Sequence, residues 1–212
     1  MQGQGSPKSP TSLEVCLDFT DTVDWRTSNH AKDAIRSYDD LLVWSSRKGL
    51  LSREEEKTLG TFLQKNEALK SKVVKDAHEL REAIYRIFSA IAHGRKAEEG
   101  DIEVLNEHLA KSMGKLELRN SGNQYAWAWR DAEAADMMLW PIASSAADLL
   151  TSEDLARVRE CANEEEGCGS LFLDSSKSHT KKWCSMDSCG NRAKVRAYYN
   201  RHGRSKKIAR QD

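Results

Sequence analysis

The sequence predicts a mainly α (α+β) chain. A multihelical N-terminal domain, interrupted by one β-hairpin, precedes a small C-terminal module built around cysteines. Three observations carry this. Residues 66–93 repeat apolar side chains at helical spacing through Leu69, Val73, Ala77, Leu80, Ile84, Ile87, Phe88 and Ile91. The period switches to alternation in KLELRNSGNQYAWAWR (115–130), where a polar Asn-Ser-Gly-Asn turn separates two runs. Four cysteines, Cys161, Cys168, Cys184 and Cys189, gather late in the chain.

Taken in order, residues 1–12 are mostly Gly, Ser, Pro and Gln, the composition of a disordered N-terminus. LEVCLDFTDTVDWR (13–26) reads equally as a short strand or a helix start. DAIRSYDDLLVWSSRKG fits a helix with Ile35, Tyr38, Leu41, Leu42 and Ser45 on one face and Gly49 as its stop. Ser52 and Glu55 form a capping box for the next helix, which carries Leu59, Phe62 and Leu63. The strongly periodic 66–93 segment follows, then a helix through Leu105, Leu109 and Met113 that Asp101 is placed to cap. In the hairpin, Tyr125, Trp127 and Trp129 share one side. AEAADMMLWPIASSAADLL returns to a helical pattern, with Pro141 expected to kink or split it. Thr151 or Ser152 is expected to cap a last helix running into Cys161. The domains read as 13–155 for the helical part, 156–204 for the cysteine module and 205–212 for a basic flexible tail.

Of 212 residues, 31% are charged, and the mean hydropathy is −0.70, which reads as a soluble chain. No apolar run approaches the ~20 residues of a membrane span. The first residues lack the charged-then-apolar pattern of a signal peptide. A cytoplasmic location follows as the expectation, and persistent disulfides are rare there. The zero net charge hides an asymmetry. Residues 177–212 hold eleven Lys or Arg against two acidic residues, net +9, and the remainder balances it at −9. A basic end on a neutral protein points to an anionic partner, with a merely solubilising tail as the plain alternative.

The cysteines are spaced C-x6-C, fifteen residues, C-x4-C. Two pairs separated by a hairpin-sized segment are the layout of a structural four-cysteine zinc site, one Zn2+ in a tetrahedron of thiolates. A redox pair is usually C-x-x-C, which neither spacing matches; disulfides, free thiols and a catalytic zinc are the weaker readings. Leu171–Leu173 and Lys182–Trp183 are expected to pair as short strands, and a helix follows Cys189. Knuckle, hairpin and helix make a treble-clef-like four-cysteine zinc finger. Cys189 then lies near a helix N-terminus, which favours its thiolate. Cys16, far away, reads as a small core residue.

WCSMDSCGNRAKVRAYYNRH, preceded by LFLDSSKS, resembles the CGNR zinc-finger family, whose motif stands here as Cys189-Gly190-Asn191-Arg192. The segments LEVCLDFTDTVDWR, SYDDLLVW and LWPIASSAADLL resemble the ABATE domain that usually precedes that finger. The resemblance covers nearly the whole chain from residue 13. It implies a DNA-binding finger and a stress-responsive transcription regulator. The sequence departs from the family in three places. Asp21 stands where Asn is usual, Ser170 replaces a frequent aromatic, and the first cysteine pair is more widely spaced.

From Gly190 to Gln211 there is no acidic residue. On a helix, Arg192 and Arg196 share one stripe, and Lys194, Tyr198 and Arg201 an adjacent one, while Ala193, Val195 and Ala197 are expected to face the finger's core. With Lys181, Lys182 and Arg204 these cations form the candidate nucleic-acid surface, suited to duplex DNA through phosphate contacts and major-groove entry. A protein- or RNA-interaction adaptor with a purely structural finger is the alternative. No catalytic constellation stands out: the six histidines are scattered, and Asp18, Asp21 and Asp24, three apart, read as turn residues. Trp25, Trp44, Trp127 and Trp129 fill a core by default and otherwise line a pocket for a small apolar or aromatic effector. Control of the finger by such an effector, or by homodimerisation, is the expected task of the N-terminal domain.

Overall fold

The computed structural model describes residues 12–122, 124–130 and 134–208. The predicted disordered N-terminus, apart from Ser12, and the last four residues of the basic tail lie outside them. Segment 13–26 resolves as a short helix α1 (Val15–Thr20) followed by β1 (Val23–Asp24), which pairs with β2 (Lys32–Asp33). Helix α2 (Tyr38–Arg47) starts later than the apolar face indicated. Ser37 Oγ accepts from the Asp40 N–H and the Asp40 carboxylate accepts from the Ser37 N–H, so a capping box fixes its origin and leaves Ile35, fully buried, ahead of it. Helix α3 (Arg53–Phe62) begins at the expected Ser52–Glu55 box.

Helix α4 (Glu67–Ala92), capped by Asn66, is the spine of the fold. Its buried face of Val73, Ala77, Leu80, Ile84, Ile87 and Phe88 packs on α1, α2, α5 and α6. Truncating a fully buried residue here, Leu80 or Phe88, to Ala costs about 2–5 kcal/mol. Helix α5 (Glu99–Met113) has Glu98, not Asp101, at its N-cap; the buried Asp101 carboxylate instead accepts both ends of the Arg86 fork. Strands β3 (Leu116–Ser121) and β4 (Gln124–Trp129) form the predicted hairpin, with Leu118 opposite Trp127. In α6 (Leu139–Leu150) Pro141 occupies the first turn, where a missing N–H removes no helical bond, so it starts the helix and does not split it.

The expected last helix into Cys161 does not form. Ser152 precedes a short 3-10 turn, Glu153–Arg157, and the chain then extends as β5 (Val158–Glu160). Strand β6 (Leu171–Leu173) pairs antiparallel with β5, not with residues 182–183. The 182 segment is tied to the first cysteine loop by the Ala162 N–H to Lys182 carbonyl bond, 2.8 Å. Val158 and Leu171 are buried in the same apolar core as α1, α4 and α6, so the cysteine module grows directly out of the helical body. Helix α7 (Asn191–Ile208) closes the described chain, continuing through four residues of the predicted flexible tail.

Candidate metal centre

Four elements deliver the cysteines. Cys161 follows β5 and Cys168 precedes β6, with a 3-10 turn, Glu164–Glu166, between them. Cys184 follows the Trp183 segment. Cys189 lies in a one-turn π-helix, Met186–Gly190, that leads into α7. A Cβ on Gly190 would stand 2.7 Å from Sδ of the exposed Met186, whose flexible end would have to shift, and in ordinary contact with Trp183. Asn191 donates from Nδ2 to the Asp187 carbonyl (3.4 Å), the local turn bond its position implies.

The four Sγ atoms lie within 4.8 Å of one another. Cys168–Cys184 and Cys184–Cys189 are 3.8 Å apart and Cys189–Cys168 3.5 Å. A tetrahedron with Zn–S of about 2.3 Å has edges of about 3.8 Å, so the cage has the size of a zinc site. Without a cation such thiols oppose one another's ionisation: hydrogen bonds from Cys168 and Cys184 drive Cys161 down, and the bond to Cys161 pushes Cys168 up. A divalent cation removes that conflict by holding all four as thiolates. Three of the ligands are buried, and four thiolates fill a tetrahedron with no position left for substrate, which makes the centre structural. Cys16, fully buried with its thiol pushed up to about 12 by burial, takes no part.

A seam of polar contacts locks the centre to the helical body. The Arg26 N–H donates to the Cys168 carbonyl (3.2 Å) and the Thr27 N–H to the Gly167 carbonyl (3.1 Å). Glu160 accepts from Tyr85 Oη (3.1 Å) and Ser89 Oγ (2.7 Å) of α4. The Arg26 guanidinium lies over the Tyr85 ring and pairs with Glu82 at 2.5 Å. The loop that brings Arg26 and Thr27 here is itself fastened by the buried Arg81, which donates to Thr22 Oγ1 and to both oxygens of Asp33.

The three aspartates of the DxxDxxD spacing serve three separate partners. Asp18 pairs with Lys48, Asp24 accepts from the Trp25 N–H, and Asp21 crosses the seam. Asp21 Oδ2 accepts from Ser170 Oγ (2.5 Å) and Oδ1 from the Leu171 N–H (3.2 Å). Asp21 and Ser170, two of the three positions the resemblance marked as departures, therefore face each other. Desolvation of these oxygens pushes the Asp21 carboxyl from 3.8 up to about 6. The folded state then holds the proton more tightly than the unfolded chain does. Its stabilising contribution is complete below about pH 3.8 and is lost as pH rises to about 6. Asp21→Asn keeps the bond from the Leu171 N–H, reverses the other so that Nδ2 donates to Ser170 Oγ, and removes the charge. Above pH 6 it is expected to be more stable than the parent by on the order of 1 kcal/mol, a figure discounted because the residue's outer side is in solvent. Paired urea titrations at pH 4 and 7.5 check this: an equal difference at both pH values would refute it.

The predicted nucleic-acid residues divide into two groups. Arg192 and Arg196 are engaged within the finger. Arg196 Nη1 donates to Glu165 Oε2 (2.5 Å), and its Nη2 to Asn163 Oδ1 (3.1 Å) and to Glu166. Arg192 donates to Glu166 Oε2 (3.3 Å) and lies 4.6 Å above the Trp25 ring. Lys181 stands over Phe172, while Lys182, Lys194 and Arg201 are exposed; Arg204 lies on α7, its side chain outside the described ones. Of the three residues expected on the core side, Ala193 is half-buried, while Val195 and Ala197 are exposed and Arg196 takes the other half-buried position. The acidic triplet Glu164–Glu166 was visible in the sequence as a loop; its opposition to a helix without acids was the available sign of the pairing.

The four tryptophans are not brought together. Trp44 tilts on Phe19, Trp129 tilts on Trp140, and Trp25 packs against the cysteine cluster. Trp25 lines a polar cleft of about 640 Å³ with His30, Glu164–Glu166 and Arg192, which holds none of the other three.

A helical body with an appended four-cysteine centre defines a zinc-finger protein that binds one structural Zn2+. Residues 13–153 match the ABATE family, described as "Putative stress-induced transcription regulator", and residues 157–202 match the CGNR zinc finger. The chain belongs to the ABATE family and carries a C-terminal CGNR finger. No curated protein matches the sequence. Among the described residues no helix is long and apolar enough to cross a membrane.

Proposed function

We propose that this protein is a DNA-binding transcription regulator, in which the zinc centre fixes the direction of α7 and the ABATE domain controls it. The observation that carries the reading is α7 itself. From Ala197 to His202 every residue is exposed, and the helix and its tail hold no acid before the last residue. Ordinary exposed helices intersperse Glu with Lys, so an acid-free helix fits a polyanion better than it fits water alone. Phosphate contacts supply sequence-independent affinity, and a helix of this kind fits the major groove. An effector-sensing or dimerising N-terminal domain belongs to the same reading, because two arms on two half-sites bind far more tightly than one.

The test is a titration of the zinc-loaded, full-length protein onto labelled mixed-sequence duplex DNA across a salt series. Log affinity is expected to fall linearly with log salt, with a slope of about 0.9 per phosphate contacted. No binding at low salt would leave the finger as a structural or protein-docking element and overturn the regulator reading.

A further inference from the structure

Resting on that reading, we infer that the two basic stripes of α7 have different tasks. Arg192 and Arg196 are positioning residues that clasp the helix to the finger, and Lys194, Tyr198 and Arg201 form the face that meets duplex DNA.

The clasp follows from the partners of the two arginines. Arg196 has both terminal nitrogens committed to Glu165, Glu166 and the buried Asn163 oxygen, and its side chain is only 26% exposed. A phosphate arriving here would have to displace two carboxylates already fixed in place, exchanging one charge-assisted contact for another. Glu166 also receives Arg192, whose guanidinium is stacked on Trp25 from the helical body. With Glu164 the loop carries three carboxylates beside this stripe, so the potential next to Arg192 and Arg196 repels a polyanion. The same pairs hold the first two turns of α7 in one direction. Beyond them, nothing in the described structure covers the helix.

The opposite side differs in exposure and in the charge of its own residues. Lys194, Tyr198 and Arg201 stand at i, i+4 and i+7, on the side of the helix turned away from Arg192 and Arg196. All three are exposed, and Tyr198 stacks on His202 with ring centroids 4.1 Å apart, which stiffens both side chains. An ammonium, a guanidinium and a phenol hydroxyl along one stripe bring donors to a phosphate backbone and no carboxylate of their own, with Arg201 Nε also donating to the Ala197 carbonyl (3.2 Å). Charge complementarity commits this face to duplex DNA.

The experiment uses zinc-loaded, full-length protein and mixed-sequence duplex DNA, with the salt slope as the readout. Lys194→Ala/Arg201→Ala, both on exposed positions, is expected to lower the slope by about 0.9 for each phosphate the helix no longer neutralises, together with the affinity. Glu165→Gln/Glu166→Gln, checked for unchanged zinc content, is expected to leave the slope unchanged, because no new cation reaches the DNA. If the acidic loop instead masks two DNA-binding arginines, the same variant frees them and the slope rises by up to about 1.8; that outcome overturns the inference. So does an unchanged slope in Lys194→Ala/Arg201→Ala. Absence of binding by the parent protein is a separate result, which removes the DNA reading itself.

Discussion

Stripping zinc from the intact protein is expected to unfold residues 161–190 and to redden its tryptophan emission. Apparent zinc-binding free energies in small finger peptides are about 10–16 kcal/mol, as large as the whole stability of many domains. Beyond the polar seam and the burial of Val158 and Leu171 in the main core, the module has little apolar burial of its own. Its own apolar cluster consists of the cysteines, with Trp25, Phe172 and Trp183 only partly buried against them. Losing the cation leaves crowded thiols whose ionisation is mutually opposed. Trp25 and Trp183 then enter water, and because Trp25 belongs to the helical domain, the change reports on the seam as well as on the finger. Chelation followed by metal analysis, emission spectra and thermal melts checks this, and Cys184→Ser in excess zinc should reproduce it. Identical emission and melting with and without bound metal would mean that the cage is not what holds the module together.

The second large effect is expected at Gly167. Its φ of +72 lies in the left-handed region, and a Cβ there would stand 2.6 Å from the Ser28 nitrogen and 2.8 Å from its Cα. Those are backbone atoms of the loop whose Thr27 N–H bonds the Gly167 carbonyl, so neither side can give way without parting the seam. Gly167→Ala is expected to cost on the order of 2–4 kcal/mol, combining left-handed strain with the clash. Gly49 provides the control. It has the same φ of +72 with nothing within 4 Å of the added Cβ, so Gly49→Ala carries the conformational cost alone, about 1–2 kcal/mol. Urea unfolding of the two zinc-loaded variants separates the contributions. Equal losses would show that the contact with Ser28 contributes nothing.

What the sequence disclosed depends on how local the cause is. The α4 face and the Ser52–Glu55 cap are written in neighbouring residues, and both were legible. So was the ligand set, because tetrahedral thiolate coordination imposes spacing that survives any detail of the path between the pairs. The strand partner of Leu171–Leu173 was not, since β5 and 182–183 are equally short and the choice is made by burial of Val158 and Leu171 in the main core. Helix polarity of residues 153–160 misled for the same reason: tertiary pairing overrode local propensity. Among the candidate site residues, net charge identified the basic helix but could not say which stripe was already neutralised. That depended on a loop about thirty residues upstream, Glu165 and Glu166, folding back through the metal centre to meet Arg196.

Helix α7 is also a lever. Its 18 residues, at 1.5 Å each, span about 27 Å, and its clasped pivot lies within the first two turns. From that pivot the helix runs on for about 20 Å, so a rotation of about 10° carries the far tip through roughly 3.5 Å, about the 3.4 Å step between stacked bases. On the proposed DNA-binding reading, small displacements at the pivot are thus amplified into a change of register along a duplex. The pivot includes Trp25, and Trp25 is held by the same loop that Arg81 and Asp33 fasten. On that reading, a signal acting on that loop need never approach the basic residues to decide whether they find phosphates.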